Sequence, residues 1–163
     1  MKLDFKSISN FKPCVIAETA CGHDGNLKKL IKLIDIASEA GSHAIKFQIY
    51  KLTERSLPNT KEYKIFKKLL LTDKEWKTSV VHAKKKNMFV FADVYGDMSF
   101  RLAQSLKVDG YKIHSEDTLN TGLIRNVIKT NKIVLISVGG SHRVEIKSLL
   151  EELKKNNQIR NVI

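Results

Sequence analysis

The stretch Cys14-Val15-Ile16-Ala17-Glu18 is a short apolar run that ends on a carboxylate, and the same pattern is repeated three more times along the chain. The other runs are Ala44-Ile45 leading to Lys46-Phe47-Gln48, Gly110-Tyr111 leading to Lys112-Ile113-His114-Ser115, and Ile133-Val134-Leu135-Ile136 leading to Ser137. Segments with helical periodicity lie between them. Buried strands with polar residues at their C-terminal ends, alternating with helices, are typical of a βα barrel. Two lysines, a glutamate, a glutamine and two serines on one rim would suit a small anionic substrate.

The composition is that of a globular protein with one core. The chain has 163 residues, of which 42% are hydrophobic and 28% charged, and we expect a single domain over 1–163. No apolar run approaches the ~20 residues of a membrane span, and residues 1–12 do not resemble a signal peptide. Cys14 and Cys21 lack metal-site spacing, so we expect reduced thiols and a cytoplasmic protein.

The net charge of +12 calls for an explanation. Lysine-rich stretches such as Lys84-Lys85-Lys86 and Lys154-Lys155 fall on predicted helix faces or ends, where they read as solvated surface. The charge is scattered and no aromatic residues alternate with it, so the pattern does not favour nucleic-acid binding. An anionic small molecule is compatible with this charge.

The elements between the runs can be predicted from periodicity and capping residues. Strands are predicted near 14–18, 43–49, 88–93, 110–113 and 133–137, with the start of a sixth at 159–163. Helices are predicted over 27–41, 63–70, 72–83, 97–106, 123–128 and 141–153. Thr72 and Glu75 form a capping box, and Asp97 and Ser141 are predicted N-caps.

Two parallel architectures fit this order of elements, a doubly wound sheet and a barrel. The turn after the first strand, 21–25, matches neither the GxGxxG fingerprint nor a phosphate-binding P-loop, which favours the barrel. A complete barrel takes about 250 residues. We therefore expect a partial TIM (β/α)8 barrel of about five βα units plus the start of a sixth strand.

Several motifs, in order, carry a resemblance to a known family. They are Ile16-Ala17-Glu18, His23-Asp24-Gly25-Asn26, Ala44-Ile45-Lys46-Phe47-Gln48, the segment 108–115 with Asn120, and Leu135-Ile136-Ser137-Val138-Gly139-Gly140. Together they span nearly the whole chain. In these residues the chain resembles the opening of the sialic acid synthase (N-acetylneuraminate synthase, NeuB-type) family.

The resemblance implies a fold and a reaction. Members of the family have a TIM barrel followed by an antifreeze-like domain, and they condense phosphoenolpyruvate with an N-acetylated amino sugar to a nonulosonic acid, releasing phosphate. The complete enzyme is expected to use a divalent metal, manganese or magnesium, and to form a homodimer. The family's metal ligands come from later strands, so we expect neither them nor the antifreeze-like domain in this chain, and we expect the isolated chain to be inactive.

The resemblance also implies roles for individual residues. Lys46 and Lys112 would bind the carboxylate and phosphate of phosphoenolpyruvate, with Ser115 and Ser137 donating hydrogen bonds. Glu18 and Gln48 would face the sugar or the attacking water. The predicted catalytic residues are thus Glu18, Lys46 and Lys112, and the predicted substrate-binding residues are Gln48, Ser115, Ser137, His23 and Asn59.

Two positions depart from the family pattern. The third strand ends in Ala92-Asp93-Val94-Tyr95 where relatives commonly show Ser-Thr-Pro-Phe, and the fifth is followed by Val138-Gly139-Gly140 where they usually show Thr-Gly-Met. A carboxylate at Asp93 would repel a bound phosphate unless it faces a metal or Lys112. His114 is a candidate metal ligand with no visible partner at ligand spacing.

Two other functions remain open. Strand lysines also suit a class I aldolase-type lyase, in which Lys112 would form a Schiff base with a keto substrate. Alternatively, the chain is a non-catalytic regulatory or interaction module that retains a phospho-ligand site.

Overall fold

The strands form one parallel sheet in which neighbours in sequence are neighbours in space. A computed structural model describes residues 13–155 and 159–163. The sheet order is β1-β2-β3-β4-β5 and every pairing is parallel. The strands are β1 (Ile16–Glu18), β2 (Ala44–Ile49), β3 (Phe89–Val94), β4 (Gly110–Ile113) and β5 (Ile133–Ile136). Sequential order without a reversal is that of a barrel wall, so the predicted partial βα barrel is confirmed.

Helices fill each connection between the strands. They are α1 (Leu27–Glu39), α2 (Leu52–Arg55), α3 (Lys61–Lys68), α4 (Asp73–Lys85), α5 (Asp97–Ser105), α6 (Thr121–Ile128) and α7 (Arg143–Lys155), with short 3-10 turns at Ser115–Asp117 and Ile159–Asn161. Sequence analysis did not predict α2. Among the described helices, none combines the length and the apolar character needed to cross a membrane.

The two faces of the sheet carry different residues because side chains alternate along each strand. One face packs on the helices: Phe47 contacts Trp76 of α4 with ring centroids 5.7 Å apart, and Tyr111 contacts Phe100 of α5 at 5.4 Å. The opposite face carries a smaller apolar cluster near the N-terminal strand ends, formed by Ala44, Phe89, Phe91 and Ile133. Polar residues continue this second face toward the C-terminal ends.

Gly110 is required by the packing of the second face. A Cβ atom at this position would lie 2.3 Å from Cε1 of Phe91, which is the cross-strand partner of Gly110. The missing side chain therefore makes room for the Phe91 ring. On β2 the cross-strand partner of Phe91 is Lys46. Phe91 thus lies where the apolar cluster meets the polar residues of the same face.

Two predicted caps are wrong. Helix α5 begins at Asp97 with Gly96 as its N-cap, and the carboxylate of Glu54 accepts hydrogen bonds from the Met98 and Ser99 N–H groups at 2.6 and 2.9 Å. An acid from the preceding connection thus takes the role predicted for Asp97. Helix α7 begins at Arg143, two residues after Ser141.

The predicted sixth strand is only partly formed. Residues Ile159–Asn161 form a 3-10 turn, and Val162 then makes an isolated parallel bridge to Val134 of β5. The Ile136 N–H donates to the Ile163 carbonyl oxygen, and the Ile163 N–H donates to the Val134 carbonyl oxygen, each at 2.9 Å. By contrast, the Thr72 capping box predicted for α4 is present in full.

Candidate active site

Four charged side chains from four strands meet at the C-terminal edge of the sheet. Lys46 forms an ion pair with Glu18, and its Nζ lies 3.8 Å from Oδ2 of Asp93. Nζ of Lys112 donates to the same Asp93 oxygen at 2.6 Å. We call these four residues, Glu18, Lys46, Asp93 and Lys112, the ion-pair network. It joins β1, β2, β3 and β4 at one point.

Strand register explains why these side chains meet. Glu18 pairs with Lys46, and Asp93 pairs with both Gln48 and Lys112. Cross-strand partners in a parallel sheet share a face, so all of them project on the side opposite the helices. The polar residues that follow the apolar runs therefore form one continuous patch.

Burial sets the electrostatics of the network. The side chain of Asp93 is 0% exposed, and those of Lys46 and Lys112 are 12% and 20% exposed. Burial lowers the pKa of Lys46; the carboxylate of Asp93 opposes this shift and the charge of Lys112 adds to it. Desolvated charges of this kind interact more strongly than they would in water.

Asp93 carries an atom whose hydrogen bonding is incomplete. Oδ2 faces the lysines, whereas Oδ1 is buried and has no hydrogen-bond partner among residues 13–155 and 159–163. Buried carboxylate oxygens are rarely left in this state. From the sequence we expect Asp93 to face either Lys112 or a metal, and the structure shows that it faces Lys112.

The loop after β1 is attached to the network. The second carboxylate oxygen of Glu18, Oε1, accepts from the Ala20 N–H at 2.9 Å. Thr19 donates its N–H and its hydroxyl to the Lys46 carbonyl oxygen at 3.2 and 3.1 Å. Further along the loop, Cys21 lies with its Sγ 4.0 Å from Oε1 of Gln48, which brings half-buried Gln48 to the same rim.

Ser115 and Ser137 follow β4 and β5 and are joined by a residue that the sequence analysis missed. The buried hydroxyl of Thr118 lies 2.9 Å from the Ser115 carbonyl oxygen and 2.8 Å from that of Ser137. The Ser137 N–H donates to the Ile113 carbonyl oxygen at 3.1 Å. Thr118 thus links the two serine-bearing loops.

His23 lies in the core and not on the rim. Its side chain is among the largest that are fully buried, at 1% exposure, and its ring packs edge-on against Trp76 with centroids 5.8 Å apart. Nδ1 accepts the Gly25 N–H at 3.1 Å. These contacts give His23 a structural position in the loop after β1, and its contact with a substrate stays a prediction.

Asn59 occupies an exposed turn before α3. Its φ of 68° lies in the left-handed region, which asparagine tolerates better than most residues. The following Thr60 donates its hydroxyl to the Leu57 carbonyl oxygen at 2.8 Å and caps α3. The structure thus gives Asn59 a turn-forming position, and its contact with a substrate stays a prediction.

An aromatic group that the sequence analysis also missed flanks the rim. The guanidinium of Arg55 lies 4.4 Å from the ring centroid of Phe66 and 4.8 Å from that of Tyr95, and it pairs with Glu116 at 3.1 Å. The His114 ring packs on Tyr95 with centroids 4.9 Å apart. His114 therefore has an aromatic neighbour, and its Nδ1 lies 3.8 Å from Oε2 of Glu116; within residues 13–155 and 159–163 it belongs to no metal-type group.

The ion-pair network differs in composition from a metal centre, because it contains two lysines and two acids. Within the described ranges, no group of three or more His, Cys, Asp or Glu residues is arranged to hold a metal ion. The two acids of the network are already paired with lysines. What the arrangement can do is hold an anion close to two ammonium groups.

Known proteins have sequences similar to that of this chain. The synthase for N,N'-diacetyllegionaminic acid from Campylobacter jejuni is 28% identical over 159 residues, which cover 89% of this chain and 48% of the relative. The spore coat polysaccharide biosynthesis protein SpsE of Bacillus subtilis is 27% identical, with 89% and 42% covered. This chain thus spans about half the length of the curated relatives it matches.

A solved structure and a family comparison agree with these relatives. N-acetylneuraminic acid synthetase from Leptospira borgpetersenii serovar Hardjo-bovis, solved with citrate, superposes with a TM-score of 0.84 at 28% identity, over 91% of this chain and 52% of that one. The sequence model of the NeuB family matches residues 33–163, which include Lys46, Asp93 and Lys112. This chain therefore belongs to the NeuB family.

Proposed function

We propose that this chain contributes the phosphoenolpyruvate-binding part of a NeuB-type synthase. The whole enzyme would condense phosphoenolpyruvate with an N-acetylated amino sugar of the N-acetylmannosamine type to a nonulosonic acid and phosphate. The observation that carries the proposal is the convergence of Lys46 and Lys112 on one buried carboxylate at the sheet edge. Ammonium groups placed before the substrate arrives need no reorganisation during the reaction.

For individual residues we propose the roles that the family resemblance implies. Lys46 and Lys112 bind the carboxylate and phosphate of phosphoenolpyruvate, and Ser115 and Ser137 donate hydrogen bonds from the neighbouring loops. The methylene carbon of phosphoenolpyruvate forms the new bond to the sugar aldehyde. Water adds at the carbon that carries the phosphate, and phosphate then leaves from that same carbon. Glu18 and Gln48 face the sugar or this water.

A divalent metal belongs to the family reaction, but the residues described do not fit one. Both acids of the ion-pair network are engaged by lysines, and the described segments contain no metal-type cluster. We therefore assign no step of the reaction to a metal on this part of the protein. We also propose a homodimer and a cytoplasmic location. The free thiols of Cys14 and Cys21 are compatible with that location.

The two alternatives differ in their support. A Schiff base requires Lys112 as a free amine, whereas its Nζ is paired with Asp93 at 2.6 Å, so nothing favours the aldolase. A non-catalytic module would keep the anion site without turnover. Phosphate release therefore separates this module from the synthase.

The experiment measures phosphate released from phosphoenolpyruvate in the presence of N-acetylmannosamine and manganese. It uses the 163-residue chain and the same chain extended by the C-terminal half of the Campylobacter relative, the part that the match does not cover. We expect release by the extended protein that needs both substrates and is lost in Glu18→Gln. Exposed Glu151→Gln is the control. Phosphoenolpyruvate binding without any release by the extended protein would favour the module.

A further inference from the structure

Asp93 occupies the position between the two lysines where an anionic substrate would bind. Its Oδ2 lies 2.6 Å from Nζ of Lys112 and 3.8 Å from Nζ of Lys46. Its side chain is fully buried, and Oδ1 has no partner within the described part of the chain. The carboxylate of Asp93 is therefore an anion that the protein itself places at the proposed substrate site.

The charges of the network balance before any ligand arrives. Lys46 and Lys112 contribute two positive charges, and Glu18 and Asp93 contribute two negative ones. A site for a highly charged anion would be expected to carry excess positive charge. Since Asp93, Lys46 and Lys112 are largely buried, salt screens their interactions only weakly.

We propose that Asp93 is an internal counter-anion of Lys46 and Lys112 that determines which anions the site accepts. It holds both ammonium groups, weakens the binding of highly charged anions and shifts the preference toward ligands of lower charge. This inference rests on the proposed function, because it takes the two lysines to be the anion-binding groups.

The sheet fixes the backbone of Asp93 at the site. It lies inside β3, the central strand, in which all six residues are buried. Gln48 flanks it on β2 and Lys112 on β4, so the strand pairing fixes its backbone beside the lysines. Its charge therefore acts on every anion that reaches the lysines.

The effect of this charge has a distinctive signature. Coulomb energy is proportional to the charge of the ligand, so removal of the carboxylate should strengthen binding more for anions of higher charge. If removal of the carboxylate raises the affinity for a monoanion about threefold, the threefold larger Coulomb energy of a trianion at the same distance raises its affinity roughly 30-fold. A change in packing would affect both ligands alike.

The test titrates wild type and Asp93→Asn with phosphoenolpyruvate by calorimetry and measures pyruvate, a monoanion, by competition. Asparagine has nearly the same shape and can still accept a hydrogen bond from Lys112. Asp93→Glu retains the charge and should show no gain. Asp35→Asn is the matched control, since Asp35 pairs with Lys86 and His82 on the helix side.

We expect Asp93→Asn to bind phosphoenolpyruvate at least tenfold more tightly, with a much smaller gain for pyruvate. Equal affinity in the folded variant and wild type, weaker binding, or equal gains for both ligands would overturn the role of Asp93 while leaving the site intact. Binding by neither protein would overturn the proposed function as well. If Asp93→Asn does not fold, Asp93→Ser removes the same charge with a smaller side chain.

Discussion

Lys46, at the sheet edge, and His23, in the core, show how burial acts on single residues. Lys46 is a cation whose pKa is lowered by burial, and the acids beside it compensate its charge. Removal of one member of a buried pair leaves the other uncompensated, which costs about 3–5 kcal/mol. His23 is the opposite case, a buried imidazole that accepts a hydrogen bond as a neutral group.

The neutral state of His23 makes stability depend on pH. Burial lowers the pKa of His23, against a smaller opposing effect of Asp24. As the pH falls, the unfolded chain takes up a proton at the ordinary pKa of about 6.5 while the folded chain resists. The stabilising contribution is thus complete above that value and is lost below it. We expect wild type to lose more unfolding free energy between about pH 7.5 and pH 5 than His23→Asn does.

Urea unfolding at several pH values measures this difference. Asparagine retains an acceptor near the position of Nδ1 but does not titrate. His142→Asn is the control, because His142 is exposed, and its pH dependence should match wild type. Parallel pH dependences for wild type and His23→Asn would contradict the account.

At the scale of elements, helix α5 depends on a residue from α2. The carboxylate of Glu54 accepts from two free N–H groups in the first turn of α5, where negative charge also favours the helix dipole. Loss of such a cap costs about 0.5–2 kcal/mol. We expect Glu54→Ala to lose about 1–2 kcal/mol of unfolding free energy in denaturant titrations. Exposed Glu151→Ala should stay within about 0.5 kcal/mol of wild type, and an equally small effect of Glu54→Ala would refute the cap.

The contact between β3 and β4 depends on the absence of a side chain. At Gly110 a Cβ atom would overlap the Phe91 ring, whereas at Gly122, in α6, its nearest neighbour would be Oδ1 of Asn120 at 3.7 Å. We expect Gly110→Ala to destabilise by about 1–3 kcal/mol. Gly122→Ala should be neutral or stabilising by up to about 1 kcal/mol, because alanine favours helices. Thermal unfolding compares the two, and similar effects would show that Phe91 moves aside freely.

At the scale of the whole molecule, the strand order and much of the rim could be predicted from sequence. Apolar runs that end in Glu18, Lys46, Lys112 and Ser137 carry a local signal, since strand ends in a parallel sheet meet at one edge. The capping box at Thr72 is equally local and is present.

Contacts between distant parts of the chain could not be predicted. The pairing of Asp93 with both lysines depends on strand register, which no local pattern specifies. Glu54 caps residues that lie 44 and 45 positions later in the sequence, and Arg55 pairs with Glu116, which lies 61 positions later. The burial of His23 likewise depends on Trp76, which lies on a helix far along the chain.

The central claim is that Lys46 and Lys112 form a phosphoenolpyruvate site, and calorimetric titration of Lys112→Ala tests it most directly. The matched control is Lys84→Ala, because Lys84 binds the Lys107 carbonyl oxygen and Asp109 at the opposite end of β4. We predict that phosphoenolpyruvate binds wild type and Lys84→Ala equally well, and that Lys112→Ala weakens binding by about 2–5 kcal/mol. A folded Lys112→Ala variant with wild-type affinity would contradict the account.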